Sequence, residues 1–254
     1  MTGDMRIAAQ LYTVRQIGGL ASQLDLVSAC GFTDIETIGF HDLTPQDMVR
    51  RVERSGLNVR SAHFDWEEFE TRFDEILDLL RLLRCRVAVM PWLTPEARPD
   101  TSEGWMDVSG QLADWGAQLA EHDIHLAYHN HDYDLTELSD ETPLDLILAQ
   151  ENLYWQPDIG WLAVSQKDPT RLLQRYADRI VSVHAKDAEP SAGQGDERWR
   201  NLGQGVVDWP RVLHILESSP CTDLFVEHDE TTKHAETLQT GHRFLERHLS
   251  AEVG

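Results

Sequence analysis

Four times in its second half the chain sets side chains able to hold a metal ion at the end of a short apolar run. The stretches are Tyr128-His129-Asn130-His131, Gln156-Pro157-Asp158, Val183-His184-Ala185-Lys186-Asp187 and Val226-Glu227-His228-Asp229. A lone strand-end histidine, or an aspartate before Ile159-Gly160, is ordinarily a hydrogen-bonding or turn residue. A series of four, each about one strand-helix unit or more from the next, instead points to convergence at the mouth of a parallel barrel. Imidazole and carboxylate donors without thiolate suit one divalent cation, and Mn²⁺, Mg²⁺, Co²⁺ and Zn²⁺ all accept such a set. Lys186 is one of three lysines, with Lys167 and Lys233. Two residues after His184, it shares that residue's face, where a cation can hold a substrate oxyanion or phosphate, or orient a carboxylate such as Asp187.

Convergence requires strands of the right parity, because successive side chains point to opposite faces. Ile124, Leu126, Tyr128 and Asn130 form a face suited to packing under helices, which turns His129 and His131 inward. The same alternation turns Tyr154, Gln156 and Asp158 inward, then Ser182, His184 and Lys186, then Phe225 and Glu227. Gln10 and Tyr12, Glu36 and His63 end the first three strands and read as polar lining for a polyhydroxylated ligand. Trp66, Trp92, Trp161 and Trp199 follow strands, where indole faces stack on the C–H side of sugar rings, though each alone is more often core or lid packing. Gly203-Gln204-Gly205, in the long segment after Asp187, reads either as backbone approaching a ligand or as a flexible lid.

Eight strands are expected: Ile7–Gln10, Asp34–Thr37, Val59–His63, Val87–Met90, Ile124–Asn130, Tyr154–Asp158, Ile180–Ala185 and Leu224–His228. Helical stretches separate them. Thr44-Pro45-Gln46-Asp47 and Thr142-Pro143-Leu144-Asp145 place a capping hydroxyl, a proline and a carboxylate at helix starts. Asp168-Pro169 and Asp208-Trp209-Pro210 open two more helices, and Gly31, Gly56 and the Glu121–Asp123 turn close others. Apolar spacing predicts one helix over Trp66–Arg84, and residues 250–254 are expected to fray. Alternation of this kind predicts a single (β/α)₈ barrel domain over residues 1–254, a typical length for it. A doubly wound sheet would open on a glycine-rich turn, where this chain has Leu11-Tyr12-Thr13-Val14-Arg15.

A net charge of −22 makes nucleic acid an improbable partner and gives a solvated acidic surface, of a kind that also suits a salty cytoplasm. Cys30, Cys85 and Cys221 are scattered and read as small buried apolar residues. No run is long enough to span a bilayer and the N-terminus lacks a basic-then-apolar signal, so a cytoplasmic location is expected. A homo-oligomer is compatible with these patterns and not encoded in them.

On these residues, with Ala9-Gln10-Leu11-Tyr12-Thr13-Val14-Arg15, Gly31-Phe32-Thr33-Asp34-Ile35-Glu36 and Gly203-Gln204-Gly205 followed by Asp208-Trp209, the chain resembles the sugar phosphate isomerase/epimerase superfamily of xylose isomerase-like barrels, in its Tyr-His-Asn-His form. The resemblance spans nearly the full length. It implies a divalent cation held by Glu, Asp, His and Glu from the last four strands, of which Asp158, His184 and Glu227 match the last three. The first ligand departs from the pattern. Asp134 stands where related chains carry a Glu three residues beyond the motif, ahead of His129 and His131 as candidates. The implied activity is proton abstraction beside the carbonyl of a keto-sugar, cyclitol or sugar phosphate through an enediolate, with Glu227, His129, His131 and Lys186 as catalytic residues and Gln10, Glu36, His63 and Trp161 on the substrate. Isomerisation or epimerisation is the leading expectation. With a shorter aspartate or an imidazole in the first position, elimination of water or of an alkoxide by a lyase is the alternative; the superfamily's inosose dehydratases carry a similar Tyr-His-His-His stretch, and enzymes that cleave 3-keto-glycosides look related too. A nuclease reading fails on charge, and a sugar-binding protein with an inactive site is the remaining class.

Overall fold

Parallel pairing runs unbroken across eight strands in the order β6-β5-β4-β3-β2-β1-β10-β7. They are β1 (Arg6–Gln10), β2 (Asp34–Ile38), β3 (Asn58–His63), β4 (Val87–Met90), β5 (His125–His129), β6 (Leu153–Gln156), β7 (Val183–Ala185) and β10 (Asp223–Val226). This computed structural model describes residues 5–193 and 195–251. The sheet closes on itself through two isolated bridges, Trp155 with Ile180 and Asp158 with His184. The expected eight-stranded barrel is therefore the fold. Strands six and seven are shorter than expected, and Pro157 is the reason. It has no N–H to donate, so β6 ends at Gln156 and its link to β7 reduces to Val181 N to Trp155 O at 3.1 Å and His184 N to Pro157 O at 2.9 Å.

Helices cover the outside, and the anticipated caps hold them. Thr44 accepts from Asp47 N to start α2 (Pro45–Ser55), which ends on Gly56 at φ 73°. Thr142 and Asp145 form a reciprocal cap on α6 (Pro143–Leu148), and Asp168 and Asp208 cap α8 (Pro169–Arg175) and α9 (Trp209–Leu216). One helix expectation is corrected. The segment from Trp66 splits into α3 (Trp66–Thr71) and α4 (Phe73–Leu83) at Arg72, whose backbone leaves the helical region. The Arg72 guanidinium lies 3.6 Å over the Phe40 ring and forks onto Glu75, so tertiary packing breaks a helix whose apolar spacing runs through the joint. Of the two readings of Trp66, packing is the one found, against Trp115 at 4.8 Å. The last helix, α10 (His234–Ala251), includes Ser250, and residues 252–254 lie outside the described ones.

The apolar faces read from strand parity, including Leu126, Tyr128, Leu153, Trp155, Val183, Leu224 and Val226, all sit in the core between sheet and helices. The three cysteines are buried and unpaired, as expected. Among the described residues no helix is long and apolar enough to cross a membrane.

Candidate metal centre and substrate cavity

At the C-terminal ends of the strands, His129, Asp158, His184 and Glu227 bring one ligand atom each to within 4.8 Å of one another, all buried. Inward parity of β5, β6, β7 and β10 delivers them. His184 lies between two carboxylates. Its Nδ1 is 2.8 Å from Glu227 Oε2, and its Nε2 meets Glu36. Burial opposes charge on this imidazole, yet Glu227 and Glu36 raise its pKa to about 10. Burial opposes charge on Glu227 too, but His184 and Lys186 hold its carboxyl well below the usual range. Asp158, by contrast, is pushed up by burial against the pull of Lys186. His129 Nδ1 is buried without a hydrogen-bond partner, and burial drives that ring's pKa far down, leaving neutral imidazole, the form that binds metals.

This donor set of two imidazoles and two carboxylates fits a divalent cation. His184 also shows the usual arrangement of a metal-binding histidine, one nitrogen in the cluster and the other fixed by an outer carboxylate. Glu36 is that carboxylate. Fully buried, it also accepts from Gln10 Nε2 at 2.5 Å, Gln156 Nε2 at 2.6 Å and Ser61, and meets His63 at 3.0 Å. Burial would raise its pKa, and His63 and His184 overcome that and lower it. Gln10 and Glu36, expected on the substrate, therefore lie beneath the cluster as its supports. His63 and Trp161 do reach the cavity.

Asp134 is not brought into the cluster. One oxygen accepts from the Tyr128 hydroxyl at 2.8 Å and the other from His131 N at 2.8 Å, closing the turn Asp132–Leu135. Burial raises its carboxyl to about 7. The place the resemblance gives to Asp134 is taken by His129, the second of its candidates, and His131 stands at the cavity wall with its ring 4.9 Å from Trp161.

Lys186 is 1% exposed. Its Nζ lies 3.2 Å from Asp158 Oδ2, 3.6 Å from Glu227 Oε2 and in contact with Asp229, under the rings of Trp161 and Trp199 at 5.0 and 4.2 Å. Asp187 does not join it. As the next residue along, it points away and binds Gly203 N at 2.9 Å, Ala188 N at 3.0 Å, Val207 N at 3.4 Å and Trp209 Nε1 at 3.1 Å. The glycine segment is thus anchored to Asp187. Gly203, Gln204 and Gly205 do not line the cavity.

Above the cluster opens a cavity of about 650 Å³, with His129, Glu227 and Lys186 among its lining and Trp92, Tyr133, Trp161, Trp199 and Tyr12 in its walls. Arg98, Tyr133 and Arg198 carried no motif in the sequence. Arg98 stacks 3.6 Å over Tyr133, and Arg198 comes from the hairpin of β8 (Asp187–Ala188) and β9 (Trp199–Arg200). Asp229 was within reach of sequence reasoning, since it closes the last of the four opening stretches.

A closed parallel barrel with a buried His/Asp/Glu cluster under a cavity at its strand ends is an arrangement suited to a divalent cation. Residues 24–248 match the family model described as xylose isomerase-like TIM barrel, and the chain belongs to that family. It is similar to the rhizopine catabolism protein MocC of Rhizobium meliloti, 27% identical over 276 residues covering 94% of this chain and 85% of that protein. An inosose dehydratase of Clostridium perfringens is 25% identical, covering 76% of each. Among solved structures, the IolI protein with a binding zinc atom superposes with a TM-score of 0.78 at 17% identity, covering 97% of this chain and 99% of that one.

Proposed function

We propose that this chain is a metal-dependent enzyme that removes a proton beside the carbonyl of a keto-sugar or keto-cyclitol, and that its reaction ends in elimination. The observation carrying this is the position of the Glu227 carboxylate at the cavity beside the buried Lys186, with imidazoles of His129 and His131 in the first-ligand region and Asp134 withheld. When bound by His129, Asp158, His184 and Glu227, a divalent cation supplies Lewis acidity at the substrate carbonyl. Glu227 takes the proton from the neighbouring carbon. Lys186 holds positive charge near the oxyanion that develops. The hydroxyl on the next carbon departs with that proton as water, so one C–H and one C–O bond break and a C=C bond forms. Trp161 and Trp199 stack on the ring and keep bulk water from Lys186. Exchange between two faces by paired carboxylates, the epimerase route, lacks its partner because Asp134 is committed to Tyr128 and the His131 amide. The inosose dehydratase likeness supports the same outcome.

Incubation with Mn²⁺ and 2-keto-myo-inositol or simple ketoses, followed by mass spectrometry, tests the reading. Loss of one water is expected, and stereoisomers of unchanged mass would establish an isomerase instead. Unaltered ligand binding in both Asp158→Ala and His184→Ala, with no metal bound, would reduce the chain to a sugar-binding protein.

A further inference from the structure

The charge around the cavity opposes one branch of the substrate class. Its lining includes the carboxylates Asp65, Glu68, Asp132, Asp196, Asp229 and Glu230 in addition to Glu227, against the cations Lys186, Arg98 and Arg198 among the described residues. Of the three, Lys186 is the one held by carboxylates, and although Glu230 is paired with Arg15, the seven acids still outnumber the three cations. Lys186 is enclosed by Asp158, Glu227 and Asp229. Arg98 donates from Nε to Leu93 O at 2.9 Å while stacked on Tyr133. Arg198 donates from Nε to Gly195 O at 2.8 Å, two residues from Asp196. In barrels of this kind a substrate phosphate commonly sits on backbone amides of the loops after the last strands. Here the amides of Ala188, Gly203 and Val207, with the Trp209 indole, close around the chain's own Asp187 carboxylate. A methyl group at Gly205 would fall 2.1 Å from Asp187 Oδ1, so this nest has no room for a second anion.

We infer that the cavity selects unphosphorylated polyhydroxy ketones and rejects their phosphate esters. The rim carboxylates repel a phosphate while accepting hydrogen bonds from hydroxyl groups, and the backbone amides after the seventh strand, turned away from the cavity onto Asp187, offer it no compensating donors. The inference rests on the function proposed above and narrows its substrate.

The test is calorimetric titration of the Mn²⁺-loaded protein with fructose, fructose 6-phosphate and 2-keto-myo-inositol. Titration of chelator-treated protein with inorganic phosphate accompanies it. At least one free ketose is expected to bind, with fructose 6-phosphate roughly tenfold or more weaker than fructose at low salt, about the size of one poorly screened like-charge contact. The gap should narrow at high salt and in the Asp132→Asn/Asp196→Asn double variant. Equal or tighter binding of the ester, or saturable phosphate binding to chelated protein, would overturn the inference while leaving the function standing. If no ketose binds in either form, the function proposed above fails, and the ketose selectivity fails with it.

Discussion

Glu36 has no exposed surface and touches Gln10, Ser61, His63, Gln156 and His184, side chains drawn from β1, β3 and β7 and from β6 at the far side of the ring. Its work is to fix the His184 ring so that Nδ1 faces the cluster. Glu36→Gln keeps the volume but replaces an acceptor oxygen with a donor, in a place where His184, Gln10 and Gln156 all need acceptors. It should weaken metal binding about 10- to 100-fold, the usual cost of losing an outer carboxylate. Competitive metal titration reads this directly, and unchanged affinity would mean that Glu36 serves only the fold. Parity brought Asp158, His184 and Glu227 together with one or both of His129 and His131, because each continues the alternation of a strand whose outward face is plainly apolar. Parity ends with the strand, however. It could not say whether Asp134, beyond β5, turns into the mouth or caps its own turn, and the Tyr128 hydroxyl that decides the matter lies on the outward face.

The segment between β7 and α9 shows how an element can be readable in kind and misleading in purpose. Its glycines read either as backbone near a ligand or as a flexible lid, while their structural use is close packing. An added methyl at Gly205 would meet Asp187 Oδ1 and lie 2.3 Å from Ala188 O, and one at Gly203 would meet the Phe244 ring at 2.2 Å. Gly205→Ala should therefore cost about 2 kcal/mol or more, since these atoms include backbone and a carboxylate held by four donors. Gly110→Ala, within α5 (Ser102–Ala120) and with nothing inside 4 Å of the new methyl, should stabilise by about 0.5–1 kcal/mol. Urea unfolding of both variants separates the two uses of glycine, and equal effects would refute the packing argument. Alternation held the clue, since an inward Lys186 sends Asp187 toward the glycine segment. Helix starts were legible because capping is local. The break at Arg72 was not, because its cause, the Phe40 ring, comes from the loop after β2.

Acid stability belongs to the whole molecule. His41 is largely buried with an unpartnered Nε2, and burial lowers its pKa from 6.5 to about 4. Below pH 6.5 the unfolded chain takes up a proton that the native one resists, so this share of stability is present above 6.5 and lost as pH falls toward 4. The loss is on the order of 3 kcal/mol. Asp134, raised to about 7, acts in the opposite sense and loses its share as pH rises through that value. The comparison is therefore between the native chain and His41→Asn, which keeps a residue tolerant of the left-handed backbone at φ 51°. The variant should lose less stability between pH 6.5 and 4, and parallel curves would remove His41 from the account. At this scale the eight-unit plan was readable because strand and helix periods differ. The joint between β6 and β7 was not, since one proline thins it to two bridges, and Asp158 and His184 face each other across it. Two of the four candidate ligands thus sit on opposite lips of the barrel's thinnest join. Any parting of those lips would take the cluster apart, and a divalent ion held from both sides would act as the clasp that shuts the ring.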